Sequence, residues 1–396
     1  MLGISATKIL QQKTSGFGRR RQDYFEESSG NDGTVDFSGV TDIVAYGDSY
    51  TDPGLEAIPA SNSYINKMIA TMGKALTNRG GTGTGIATAY QREIVNGQAI
   101  DRDKGVTIMT GLNDVNLNGD VSSFHDSYKD QLTATLCSLF LKTGIPAGSA
   151  TYTVPGQWLK TFNPSDGFNK AHQFGVSNKT ALGSNVYPTS GTMSYTFTND
   201  HVVLGYMQCL TTSNPGVYLG DFEVRIDGVF QETVTSTIAP QQTYPGWEGG
   251  AFGDYQPRVK IYGGLTNASH TIEIRATTNP ANCCIIDYFG HLATDSSDSE
   301  GVLIFDVTRV INYAQPAPYN MGSDGAINNI NLEIREAIAN LTDVRPNLPI
   351  ALAETNSATP AEMEIIPAGF AADGLHYNNT NHNRLNLRGM SKISAY

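Results

Sequence analysis

The sequence predicts an α/β protein in which a parallel-sheet domain is interrupted by an inserted antiparallel β-sandwich. Two textures along the chain carry this reading. In the first, short unbroken apolar runs alternate with stretches of helical periodicity, as expected of strands buried on both faces and the helices that cover them. In the second, confined to the middle of the chain, apolar and polar residues alternate with period two between Asp-Gly and Gly-Gly turns. The first texture resumes near Asp295, which makes the middle an insertion; such insertions cost little where the two chain ends lie close together.

Each element follows in order. Ile43, Val44, Ala45 and Tyr46 form a buried strand that stops at Gly47. Residues 62–77 carry apolar side chains at Tyr64-Ile65, Met68-Ile69, Met72 and Ala75-Leu76, the spacing of an amphipathic helix. Val106-Thr107-Ile108-Met109 is a second strand, ended by Gly111, and a helix over about residues 124–141 follows it. Val302-Leu303-Ile304-Phe305 and Pro349-Ile350-Ala351-Leu352-Ala353 read as later strands, with helical spacing between them at Ile330, Ile334, Ile338 and Leu341. In the middle, Phe222-Glu223-Val224-Arg225-Ile226 runs into Asp227-Gly228, and two further alternating runs follow at residues 259–262 and 270–275. The domain organisation is then a polar arm over 1–37 carrying Arg19-Arg20-Arg21, a first α/β part over 38–147, the sandwich over 148–294 and a second α/β part over 295–396.

Composition narrows the function classes. A chain of 396 residues with 39% hydrophobic residues has material for more than one core. Its 26 Lys and Arg stand against 38 Asp and Glu, a net charge of −12, which argues against nucleic acid or an anionic membrane as partner. No apolar run reaches the roughly 20 residues of a membrane span, and the first residues lack the charged-then-apolar order of a secretory signal. A soluble protein is expected. Cys137, Cys209, Cys283 and Cys284 are too few and too scattered for a disulfide framework or a zinc site. Asp295, Asp298 and Glu300 lack the ligand spacing of a calcium loop and read as a solvated acidic linker. No metal or cofactor is expected.

Four short segments lie at strand ends or in loops beside them: Gly47-Asp48-Ser49, Asn78-Arg79-Gly80-Gly81-Thr82-Gly83, Gly111-Leu112-Asn113-Asp114 and Asp373-Gly374-Leu375-His376. A serine just after a buried strand, at the mouth of a helix, sits where backbone N–H groups favour developing negative charge. It needs a base, which His376 can supply, and an acid three residues earlier, Asp373, can curl back to the other ring nitrogen. The oxyanion formed by attack on an ester needs preorganised donors, for which the Ser49 and Gly83 N–H groups and the Asn113 amide are suited. The glycine-rich stretch lacks the Gly-Lys-Ser/Thr ending of a phosphate loop, and the chain has no G-x-S-x-G.

In order and content these segments resemble the four blocks of the SGNH, or GDSL-type, hydrolases. The resemblance covers about residues 40–145 and 295–396. It implies a flavodoxin-like three-layer hydrolase domain with Ser49 as nucleophile, His376 as base, Asp373 as its orienting acid, and Ser49, Gly83 and Asn113 as the oxyanion hole. Tyr50 stands where the family often has leucine, and Tyr377 where proline is frequent. Asp114 is expected to brace the oxyanion loop, and His382 to lie on the surface or a helix face. His125, His172, His201, His270 and His291 lack partnered patterns and read as structural.

The insertion holds Tyr244-Pro245-Gly246-Trp247, then Phe252 and Tyr255, in a glycine-rich segment. Exposed aromatic faces stack on sugar rings, so Tyr244, Trp247 and Tyr255 are the candidate substrate-binding residues, with packing inside the sandwich as their other reading. Inserted sandwiches in SGNH enzymes resemble carbohydrate-binding modules. The reading that follows is a carboxylic ester hydrolase, a carbohydrate esterase that removes O-acetyl groups from an acetylated glycan, extracellular or virion-associated. The polar arm would attach it to a larger assembly, as in a phage tail protein. The rival readings are a glycan-binding adhesin or virion attachment protein with an inert hydrolase domain, and a lipid or thioester hydrolase.

Overall fold

The computed structural model describes residues 33–52, 59–86, 104–118, 122–146, 151–152, 176–177, 192–210, 218–219, 221–235, 237–238, 255–276, 282–283, 285–293, 301–308, 324–355, 365–371 and 375–396. It combines one parallel sheet, flanked by helices, with separate antiparallel sheets.

The parallel sheet has strands β1 (Asp42–Gly47), β2 (Ala75–Gly80), β3 (Gly105–Met109), β4 (Val302–Phe305) and β5 (Ile350–Ala353) in the order 2-1-3-4-5. β3 and β4 are buried along their whole length, as their unbroken apolar runs require. Helix α1 (Tyr64–Met72) crosses from β1 to β2, whereas α3 (Ser122–Phe140), which follows α2 (Leu112–Asn118), and α4 (Asp324–Thr342) serve crossovers in the opposite direction. Because such crossovers are right-handed, α1 covers one face and α3 with α4 the other. The last helix, α5 (Asn379–Met390), packs beside α1. Gly389 lets it approach closely, since a Cβ there would stand 2.7 Å from Met68 Sδ and 2.8 Å from Phe305 Cζ.

The structure departs from the expected helix over 62–77. α1 stops at Met72, capped by Gly73 in the left-handed conformation at φ 67°, and residues 75–80 form the edge strand β2. The glycine-rich segment therefore leaves a strand and not a helix.

The antiparallel part has two sheets facing each other. One orders the strands Val229–Val234, Phe222–Ile226, Ala268–Ala276 and Thr192–Asn199; the other joins Tyr255–Tyr262, Val202–Leu210, Ile285–Leu292 and Leu141–Pro146. Phe197, Leu204, Phe222, Ile272, Ile274, Ile286 and Phe289 fill the space between them. The predicted Asp227-Gly228 turn is a two-residue hairpin with both residues at positive φ, 52° and 78°, which matches the strand twist. Strand Leu141–Pro146 starts directly after α3, Leu141 lies opposite Leu292, and Ala293 N–H donates to the Phe140 carbonyl at 2.8 Å. Entry and exit of the antiparallel part are thus adjacent.

Polar contacts lock the two parts together. Arg258, 2% exposed, donates from Nη2 to Ser127 Oγ on α3 at 2.7 Å, and its Nε lies 3.7 Å from Asp130 Oδ2. Beyond α4, Arg345 grips Asp200 in the turn between two sandwich strands, with N–O distances of 2.6 and 3.0 Å. Among the described residues no helix is long and apolar enough to cross a membrane. Arg258→Ala leaves the interface polar groups without their buried donor and removes packed alkyl stem, so urea unfolding is expected to show a loss of about 2–3 kcal/mol.

Candidate active site

The site grows from the ends of β1, β2 and β3. In the parallel register Gly47 lies opposite Gly80 on one side and Met109 on the other, so the three following loops leave the sheet at one level. This is also where the strand order reverses, the crevice in which open α/β sheets hold their ligands.

After Gly47 the chain forms a single tight turn. The Asp48 carbonyl accepts from the N–H groups of Thr51 and Asp52, both at 3.0 Å, and Asp48 Oδ1 accepts from Tyr50 N–H at 3.0 Å. Ser49 stands on this turn with 8% exposure. Among the described residues, the first α-helix after this turn is α1, which begins at Tyr64.

The glycine-rich loop is pinned to the same strand end. Gly81 N–H and Thr84 Oγ1 donate to the Gly47 carbonyl at 2.9 and 3.1 Å. Gly83 adopts φ +71°, where an added Cβ would touch nothing within 4 Å, so it presents bare backbone in the region glycine favours. Asn113, on α2, donates from Nδ2 to the Thr84 carbonyl at 3.0 Å. Asp114 Oδ2 accepts from Ile86 N–H at 3.2 Å, and a Cβ on Gly85 would lie 2.5 Å from either Asp114 carboxylate oxygen. The Gly83 and Asn113 loops are therefore tied to each other. Among the described residues, the Ser49 and Gly83 N–H groups donate to no acceptor.

The base arrives from the far end of the sequence. His376 Nε2 lies 3.1 Å from Ser49 Oγ, across 327 positions of chain. Its segment is folded back on itself: Ala371 N–H donates to the His376 carbonyl at 2.7 Å, and Phe370 and Tyr377 form an antiparallel bridge. Asp373 and Gly374 lie outside the described residues, as do Tyr244, Trp247, Phe252, His172, Asp295, Asp298, Glu300 and the arm up to residue 32. Tyr255 opens the strand Tyr255–Tyr262 and is not part of a loop.

Two carboxyls lie beneath these loops. Asp48 and Asp114 are both buried, and burial pushes each up to about 7, with the Asp114 charge adding to the rise at Asp48. Sequence reasoning gave Asp114 a bracing role but missed the pairing, for which adjacency to serine and asparagine was the available signal.

The other histidines separate cleanly. His382 lies on a helix, α5, the second of its two expected positions, and is fully buried there: its Nδ1 accepts from Tyr64 N–H at 3.1 Å and so caps α1. Burial lowers it to about 3, which keeps the ring in the neutral form that can accept. His270 and His201 do have acidic partners, Asp227 at 2.6 Å and Asp200 at 2.8 Å. Among the described residues, no group of three or more His, Cys, Asp and Glu side chains is arranged to hold a metal ion.

No family model matches the chain, and no curated protein matches it. Among solved structures it is similar to the porcine torovirus hemagglutinin-esterase, with 10% identity over 89% of this chain and 87% of that one and a TM-score of 0.35. It is similar also to a family 35 carbohydrate-binding module from Clostridium thermocellum, with 11% identity over 37% of this chain and 95% of that one and a TM-score of 0.23. A second family 35 module, from Paenibacillus barcinonensis, has 12% identity over 37% and 95%, with a TM-score of 0.23. At TM-scores this low the likeness carries no weight for function.

The buried carboxyls set a pH dependence. Their folded values stand above the unfolded value near 4, so the folded state holds more protons between about pH 4 and 7. Their contribution to stability is greatest below that window and is lost as pH rises through 7. The unfolding free energy from urea titration is expected to fall between pH 5 and 8, by at most about 1.4 kcal/mol per pH unit for each carboxyl, and Asp114→Asn to flatten that slope.

Proposed function

We propose that this chain is a serine esterase of the SGNH type that removes O-acetyl groups from a polysaccharide. The observation that carries the reading is the 3.1 Å hydrogen bond from Ser49 Oγ to His376 Nε2, at the carboxyl end of β1 beside three glycine-containing loops. Nucleophile and base within hydrogen-bond reach are the geometric requirement for covalent acyl transfer.

In this reaction His376 Nε2 takes the Ser49 proton as Oγ attacks the acetyl carbonyl. The oxyanion is held by the Ser49 and Gly83 N–H groups and the Asn113 amide, donors fixed before the substrate arrives. Collapse releases the sugar hydroxyl, protonated by His376, and leaves acetyl-Ser49. His376 then deprotonates a water that attacks the acyl carbon; the bond from that carbon to Ser49 Oγ breaks as His376 returns the proton to Oγ, and acetic acid leaves and ionises to acetate. Asp373 would accept from the remaining ring N–H of His376 and hold the tautomer. The reaction needs no metal or cofactor.

The glycan is inferred from the antiparallel part, whose Thr-, Tyr- and Asn-rich sequence includes Tyr244, Trp247 and Tyr255 as stacking candidates.

Acetate release from p-nitrophenyl acetate and from acetylated bacterial and plant polysaccharides tests the reading. Ser49→Ala and His376→Asn are expected to abolish turnover, and Asn113→Ala to lower kcat about 100-fold. Butyrate and longer esters are expected to be slower than acetate; a preference for long chains would point to a lipid hydrolase. A parent protein that binds glycan without hydrolysing it would make the chain an attachment protein with an inert hydrolase domain.

A further inference from the structure

We propose that Tyr50, the residue next to the nucleophile, is the positioning residue that holds His376 in reach of Ser49. This inference rests on the serine–histidine reading above and adds to it a residue that the two-group chemistry does not require.

A base carried on a connection between a strand and a helix must be fixed from outside that connection. The contacts that fold the His376 segment on itself run to residues 369–371, immediately before it, and orient nothing relative to the serine turn. Tyr50 supplies that link on both sides of the histidine. Its hydroxyl donates to the Leu375 carbonyl at 2.8 Å, and its ring stacks on Tyr377 with centroids 4.4 Å apart and planes 26° apart. The Leu375 carbonyl and the His376 N–H belong to one rigid peptide plane, so fixing the oxygen fixes the plane from which His376 hangs. The stack fixes the residue that follows.

The clamp is itself anchored at both ends. Tyr50 N–H donates to Asp48 Oδ1 at 3.0 Å within the serine turn, and Tyr377 hydrogen-bonds through its hydroxyl to Thr308, just beyond β4. Tyr50 is 2% exposed and Tyr377 is fully buried, so solvent does not compete for these contacts. Because Tyr50 is covalently joined to Ser49, a displacement of one carries the other, and the Oγ–Nε2 separation is held by a path only a few residues long. Leucine at 50 could neither donate to the carbonyl nor stack on a ring. The two departures from the family pattern, Tyr50 and Tyr377, are in contact with each other and act together.

Tyr50→Phe removes the hydroxyl and keeps the stack. Turnover of p-nitrophenyl acetate by this variant is expected to fall 10- to 100-fold in kcat, with KM within about twofold of the parent and the thermal midpoint within about 2 °C. A kcat equal to the parent's overturns the proposal, and so does a loss accompanied by a large drop in thermal midpoint, which would assign Tyr50 to stability alone. The second readout needs no turnover. The His376 Hε1 resonance is expected to shift between the parent and Ser49→Ala, which removes the partner hydroxyl, and in Tyr50→Phe to move to the Ser49→Ala position. A resonance in Tyr50→Phe that stays at the parent position overturns the positioning role. If the parent turns over no ester while the resonance still moves in Tyr50→Phe, the esterase reading falls and the clamp stands.

Discussion

The register of β1 against its two neighbours is the constraint on which the site depends. With Gly47 opposite both Gly80 and Met109, the serine turn, the glycine-rich loop and the Gly111–Asp114 segment leave the sheet side by side. A slip of one residue in either pairing would turn the buried side chains of β1 to the opposite face and separate the loops by a residue's length. The hydrogen bonds from Gly81 and Thr84 to the Gly47 carbonyl then add backbone precision to what the ladder already sets. The local loop geometry is a consequence of strand pairing, and the chemistry proposed for it inherits that rigidity.

Beneath the loops, burial of Asp48 and Asp114 works against stability and yet organises the site. Each carboxyl accepts a backbone N–H, from Tyr50 and from Ile86, and so adds a side-chain bond to the fixing of its loop. The burial that raises both groups to about 7 also limits the negative charge standing below the proposed oxyanion. Ionised carboxylates in that place would oppose the charge that develops there. Destabilised groups of this kind collect at functional sites because the surrounding packing can hold them.

Much of this was legible in the residues, and the gaps have physical causes. β1, β3 and β4 are central strands, and β5, at the other edge, is buried at three of its four residues, so their apolar runs are unbroken and easily read. β2 is an edge strand with the polar sequence Ala-Leu-Thr-Asn-Arg-Gly, and its first two residues continue the helical spacing of α1. The stop was marked by Gly73, whose left-handed cap outweighs one more apolar pair. Ser49 and His376 were legible as motif fragments because their chemistry fixes the residue types. Tyr50 was legible only as a departure, since its partners, Leu375 and Tyr377, are contacts made across more than 320 positions. The burial and capping role of His382 were not legible for a related reason: a polar side chain looks exposed until the helix terminus it caps is folded against it.

The same logic explains how a second set of sheets can interrupt the parallel domain without disturbing it. The crossover from β3 to β4 requires only that α3 end near the point where the chain returns, and Leu141 opposite Leu292 supplies that closure within one strand pair. The first antiparallel strand follows α3 with no intervening loop, so α3 and the second sheet share a rigid joint at Phe140. Arg258 extends the joint along α3, and Arg345 repeats it beyond the end of α4. The two parts are thus joined at three places, the Phe140–Ala293 backbone bond, Arg258 on α3 and Arg345 beyond α4, and each attachment constrains how the antiparallel part sits against the helices of the parallel domain.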